Sequence, residues 1–166
     1  LNCPSLWNLS QKNALRRELG IGEDVKIVLY QGGFMPGRHL EELLDAFRIE
    51  DRSDRVLVFL GHAVDKPESR AIEKAIRSAV DSNRNVLCLP SVSPELLSEY
   101  TASADIGISL IEDVCLSYRY CLPNKFFEFA MAGLPIVVSD LPEMRRMVED
   151  YNCGVVCSSV QPRAIL

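Results

Sequence analysis

What most constrains this chain is a rhythm of short, unbroken apolar runs, each followed by a turn and then a stretch with helical spacing. The runs are Val25–Tyr30, Val56–Leu60, Asn85–Leu89, Asp105–Leu110, Leu134–Ser139 and Gly154–Cys157. They have strand length and lack the polar alternation of a strand with one wet face. After the first run, Leu40, Leu43, Leu44 and Phe47 recur at helical spacing, and Ala71, Ile72, Ala75, Ile76, Ala79 and Val80 form the inner stripe of a helix opened by Pro67. Ser93-Pro94-Glu95 opens another helix to about Ser103, and Pro142 opens one more. Strands with two dry faces, alternating with helices, require a parallel sheet covered on both sides.

Right-handed crossovers then make the sheet doubly wound. The expectation is an α/β, Rossmann-like single domain of about six strands over residues 1–166, with residues 1–24 a lead-in holding a helix from Gln11 to Leu19. In the common order 3-2-1-4-5-6, ligands bind beyond the carboxyl ends of strands one and four, at the switch point. The segments there are Gln31–Arg38, which is glycine-rich, and Ile111–Lys125, which begins as a long loop to Leu122. A helix is expected to open with Pro123 in its first turn and to stop at Gly133, ahead of the fifth strand. Lys125 and Glu128 share one face of it. A cation near a helix N-terminus opposes the dipole by about 0.3–1 kcal/mol, a sign that an anionic ligand there would reverse. An anionic, phosphate-bearing ligand is therefore expected.

Composition removes other classes. A net charge of −5 and the lack of any Lys/Arg run argue against nucleic acid, and Arg16-Arg17 and Arg145-Arg146 read as solvated pairs. Cys3, Cys88, Cys115, Cys121, Cys153 and Cys157 make no Cys-x-x-Cys, and with only His39 and His62 beside them no zinc spacing exists, so no metal site is expected. Free thiols and no apolar run near the ~18 residues of a membrane span suit a cytoplasmic protein. The last residues, 160–166, read as the start of a helix, and the chain reads as a piece of a longer protein.

Among phosphate-bearing ligands a nicotinamide dinucleotide fits poorly, because Phe34 occupies a glycine position of G-x-G-x-x-G and Gly61-His62-Ala63 lacks the ribose-binding acid. No Gly-Lys-Ser/Thr exists for a P-loop, and the acids of a phosphorylated receiver are missing after the first strand. A sugar nucleotide fits better. Its diphosphate would take Arg38, Lys125 and the amides of Gly32, Gly33 and the Pro123-Asn124 helix start. Its ribose would take the Glu128 carboxylate, and its base the Leu89-Pro90-Ser91-Val92 loop, with Leu89 and Val92 as walls.

These segments resemble the C-terminal, donor-binding domain of GT-B glycosyltransferases of family four, the large retaining group. Leu122–Ser139 is similar to the family's Pro-x-Lys-x-x-Glu…Ala-x-Gly-x-Pro-Val run, and Gly32–Phe47 to its first loop and helix. The resemblance covers the chain from Val25 onward. The family's Glu-x7-Glu pair would put its second acid at Glu128 and its first at Tyr120, where Glu112 of the same loop is the candidate substitute. The family's loop arginine falls at Gly33 and its loop lysine at Arg38. The resemblance implies retaining transfer of a sugar from a UDP- or GDP-type donor, without an essential metal or other cofactor. Arg38 and Lys125 would stabilise the leaving group. A glycan or lipid-linked acceptor would bind an N-terminal domain lying outside this chain, at the inner membrane face for a lipid. Alone, this domain would bind donor but transfer nothing. The alternatives are a non-catalytic Rossmann-like binding module and a related GT-B epimerase or phosphorylase.

Overall fold

The computed structural model describes residues 13–49 and 52–165; Cys3 and the first residues of the expected lead-in helix lie outside them. Six strands, β1 (Lys26–Gln31), β2 (Arg55–Leu60), β3 (Val86–Leu89), β4 (Ile106–Ser109), β5 (Ile136–Ser139) and β6 (Gly154–Cys157), form one parallel sheet in the order β3-β2-β1-β4-β5-β6. This is the expected doubly wound topology, with β1 and β4 side by side where the winding reverses. The helices are α1 (Ala14–Leu19), α2 (Leu40–Ile49), α3 (Pro67–Ser82), α4 (Pro94–Thr101), α5 (Leu116–Arg119), α6 (Asn124–Met131), α7 (Pro142–Tyr151) and α8 (Pro162–Ile165).

Strand pleating sends alternate side chains to two separate cores. Ile27 and Leu29 of β1 join Val58, Ile136, Val138, Phe126, Phe129 and Met144 in one layer, under α1, α4, α6 and α7. Val28 and Tyr30 join Leu57, Phe59, Ile108, Leu43, Phe47 and Ile76 in the other, under α2 and α3. Full burial of such side chains supplies about 1.5–3 kcal/mol each, which is why the apolar runs are continuous. At the base of the sheet, Asp105 receives Arg16 at 2.6 Å, Lys26 at 3.1 Å and the Ile27 N–H at 2.9 Å, tying α1 to β1.

One contact fixes the helix that matters most. A Cβ built on Gly107 of β4 would lie 2.3 Å from the Phe129 ring, so α6 sits directly on the strand, and only a glycine permits that distance. Gly133, at φ +72°, ends the α6 segment as expected.

Two local expectations are corrected. Pro123 is not in the first turn of α6; it is the extended cap residue before it, at φ −72° and ψ 150°, and the helix starts at Asn124. Its fixed φ suits both positions, so the residue type does not separate them. The expected long loop to Leu122 contains α5, a single turn that carries no periodic stripe because Leu116 stays 71% exposed. Tyr118 pins this turn from inside: its ring lies under the Arg38 guanidinium, 4.7 Å from the centroid, and 2.9 Å from where a Gly37 Cβ would stand.

Candidate functional site

The turn after β1 is built on one buried anchor. Phe34, fully buried, packs edge-on against Phe59 and beside Tyr30, and its N–H bonds the His62 carbonyl at 2.8 Å. That accounts for an aromatic where a dinucleotide fold wants glycine. Gly32 takes φ +115°, in the region open to glycine. Its N–H bonds Leu60 O at 2.9 Å, continuing the sheet ladder, so this amide is spent and the expectation that it faces a phosphate is corrected. The Gly33 N–H has no partner among the described residues, while the Gly33 carbonyl accepts from the Tyr30 hydroxyl at 2.8 Å.

Across from this turn stands the start of α6. No side chain caps it, which leaves the Asn124 and Lys125 N–H groups open. Lys125 extends back over β1 until its ammonium lies 3.8 Å from the Tyr30 ring centroid and 3.7 Å from the space a Gly32 side chain would occupy. Burial brings its pKa down to about 7; the Arg38 charge adds to this and Glu128 opposes it. Burial in turn pushes the Tyr30 hydroxyl up, although Arg38 pulls the other way. The Arg38 guanidinium has a buried Nη1 with no hydrogen-bond partner. Among the described residues neither Arg38 nor Lys125 has a carboxylate in ion-pair contact, whereas Arg119, Arg145 and Arg146 on the outer surface each do. Two basic side chains coupled to each other and unmatched by a carboxylate suit an anionic ligand.

Glu128 is held by residues that the sequence reading did not select. Gln31, only 2% exposed at the end of β1, donates its side-chain N–H to Glu128 Oε2 at 2.5 Å. The hydroxyl of the fully buried Thr101, at the end of α4, shares its proton between Gln31 Oε1 at 2.8 Å and the Leu97 carbonyl at 2.7 Å. Both contacts of Gln31 join residues far apart in sequence, and nothing local signals them.

These residues surround a cavity of about 290 Å³ lined by Gly32, Val92, Asn124, Lys125 and Glu128 from the sequence reading, and by Gln31, Leu60, Ser91, Leu97 and Pro123 besides. Ser91 lies 2.5 Å from His62 Nδ1 at its rim. A neighbouring hollow of about 410 Å³ holds Arg38 and Glu112, together with Gly37, Glu41, Glu42 and Glu68. The Glu112 N–H bonds the Gly37 carbonyl at 3.1 Å, so the segments after β1 and β4 do meet. Three candidates stand apart. Gly33 lines neither hollow, Leu89 packs against the core at the end of β3, and Tyr120, 56% exposed, closes α5 outside both hollows. Among the described residues no three His, Cys, Asp or Glu side chains cluster as a metal would require, and no helix is long and apolar enough to cross a membrane.

Comparison with known proteins adds a family. The family model described as glycosyl transferases group 1 matches residues 11–166. Over 161 residues the chain is 26% identical to a D-inositol 3-phosphate glycosyltransferase of Geodermatophilus obscurus, covering 91% of this chain and 34% of that protein. The chain thus spans about a third of the length of that curated relative. Similar solved structures include Anabaena Alr3699/HepE in complex with UDP-glucose, at TM-score 0.74 and 16% identity, covering 96% of this chain and 43% of that one. WaaG, a glycosyltransferase involved in lipopolysaccharide biosynthesis, matches at TM-score 0.62 and 22% identity, covering 89% of this chain and 37% of that one. The N-terminal domain of Candida albicans trehalose-6-phosphate phosphatase matches at TM-score 0.66 and 15% identity, covering 95% and 36%. At these identities the structural likeness establishes the fold.

Proposed function

The chain belongs to the group 1 glycosyl transferases and its fold fits the C-terminal domain of a GT-B enzyme, and from that premise we propose that it is the half that binds the sugar-nucleotide donor. The donor is a UDP- or GDP-type sugar, transferred with retention to a glycan or lipid-linked acceptor carried by the rest of the protein. The observation that carries this reading is the convergence of Lys125, the open amides of α6 and Gly32 on one cavity at the switch point, with the charge of Arg38 reaching Lys125. A structural neighbour whose own complex contains UDP-glucose supports it.

In this reading the bond between the anomeric carbon and the phosphate oxygen breaks, the acceptor hydroxyl oxygen bonds that carbon on the same face, and its proton passes to the departing phosphate. The departing diphosphate gains negative charge beside Lys125, Arg38 and the Gly33, Asn124 and Lys125 amides. Such preorganised donors typically contribute several kcal/mol to the barrier reduction. Glu128 accepts from the ribose hydroxyls, and Leu60, Val92 and Leu97 wall the base. No residue role here calls on a metal or cofactor. The full-length protein works in the cytoplasm, at the membrane face when its acceptor is a lipid, and this domain alone binds donor without transferring sugar.

The test is calorimetric titration of UDP, UDP-glucose, GDP and GDP-mannose into the protein, paired with Lys125→Ala. One nucleotide family should bind with micromolar to millimolar affinity and lose at least tenfold in the variant. No binding by any of them would replace the donor-domain reading with a non-catalytic binding module.

A further inference from the structure

We propose that Gln31 and Thr101 are positioning residues that aim the Glu128 carboxylate at a vicinal diol, and that through them the site prefers ribo- over 2′-deoxyribonucleotides. The proposal rests on the reading of Glu128 as the ribose acceptor.

The argument is one of hydrogen-bond polarity. An ionised carboxylate only accepts, so the atom of Gln31 facing Glu128 at 2.5 Å must be the NH₂ group. The carbonyl of the same amide then faces the Thr101 hydroxyl at 2.8 Å, whose single proton it shares with the Leu97 carbonyl at 2.7 Å. Gln31 is 2% exposed and Thr101 is fully buried, so no bulk water replaces either bond. Thr101 stands at the end of α4, Gln31 at the end of β1 and Glu128 on α6, so the relay spans three elements. It engages Oε2 of Glu128, a carboxylate oxygen with lone pairs to spare, and leaves Oε1 uncommitted toward the cavity that both residues line. A carboxylate fixed by a buried amide can accept from two adjacent hydroxyls without first losing rotamer freedom, and a ligand lacking one hydroxyl forfeits a charged hydrogen bond.

The relay can be broken without touching the ligand. Thr101→Val keeps the shape and removes the donor, leaving the Gln31 carbonyl unpaired and the amide without the contact that fixes it. Gln31→Met removes the amide with little change of volume. Thr101→Ser keeps the hydroxyl and serves as the rescue. The measurement is the affinity of the full-length protein for UDP, 2′-deoxy-UDP and inorganic pyrophosphate, or for the guanosine pair if the titration above selects it. The ratio of deoxy to ribo Kd should fall about tenfold in Thr101→Val and Gln31→Met, the worth of a hydrogen bond to a charged group. It should hold in Thr101→Ser, and pyrophosphate binding should stay level throughout. Thermal melts identify any variant that fails to fold, and the other one then carries the test. A wild-type protein that discriminates while both variants keep its full ratio overturns the relay and leaves the ribose reading intact. A parallel loss of pyrophosphate affinity also overturns it, by showing a structural role. A wild-type protein that binds UDP and 2′-deoxy-UDP alike overturns the ribose reading of Glu128 and the relay together.

Discussion

Lys125 makes the binding of a diphosphate a proton-linked event, and the size of the linkage follows from its surroundings. Burial holds its pKa down to about 7, with Arg38 adding repulsion and Glu128 opposing. A diphosphate placed against the ammonium returns it toward the ordinary lysine range near 10.4. Binding then takes up a proton at any pH where Lys125 of the free protein is mostly neutral. Affinity should be flat below about pH 6 and fall about tenfold per unit above pH 7, which is ~100-fold, or ~2.7 kcal/mol, between pH 6 and pH 9. The probe should be UDP-glucose, because the terminal phosphate of UDP itself titrates near 6 and would mask the effect. Tyr30, the other titratable group against the ammonium, is pushed up by its burial and stays protonated across this range. Calorimetry in two buffers of different ionisation enthalpy counts the protons directly, about one per ligand above pH 8. Lys125→Arg, which stays charged, should bind without the slope. A wild-type affinity that is level from pH 6 to pH 9, or a slope that survives in the arginine variant, refutes the assignment.

Four further outcomes follow from the same structure. A lysine whose folded pKa lies below its unfolded one destabilises the fold at low pH, a cost that shrinks as pH rises from about 7 to 10; Lys125→Met should therefore raise stability more at pH 6 than at pH 9, by ~2.7 kcal/mol in urea titrations. Gly32→Ala forces a β-carbon into φ +115° beside the ammonium, and should cost about 1–3 kcal/mol together with ligand affinity. Gly107→Ala places a methyl 2.3 Å from the Phe129 ring; the overpacking costs about 1–3 kcal/mol or more, and by shifting α6 it should weaken nucleotide binding from a residue that never meets the ligand. Glu128→Ala should weaken nucleotide binding and also lower the melting temperature, since it orphans the Gln31 N–H at about 1–3 kcal/mol; an unchanged melt would mean that this bond is idle in solution.

How much of this was legible in the sequence depends on the range of the interaction. The apolar runs name all six strands, because a residue buried on both faces admits little else, and handedness then restricts the winding to the observed order. That order alone brings Gly32 and Lys125 to one cavity, and it needed no knowledge of side-chain geometry. Boundaries set by a single φ were less readable, as at Pro123, whose ring fits the cap and the first turn equally. The turn at Leu116–Arg119 escaped because it buries one ring, Tyr118, against a cation supplied by another loop, and a lone ring leaves no period to detect. The Thr101–Gln31–Glu128 chain escaped for the opposite reason: each member looks ordinary in its own segment. A glutamine at a strand end is usually spent on water, and a threonine near a helix end on the carbonyl one turn back, as Thr101 in part is with Leu97. Only the meeting of three elements removes the water and turns the amide into a component with one permitted orientation. The features that bring a ligand to this site are thus local and readable, and the features that aim it belong to the tertiary structure.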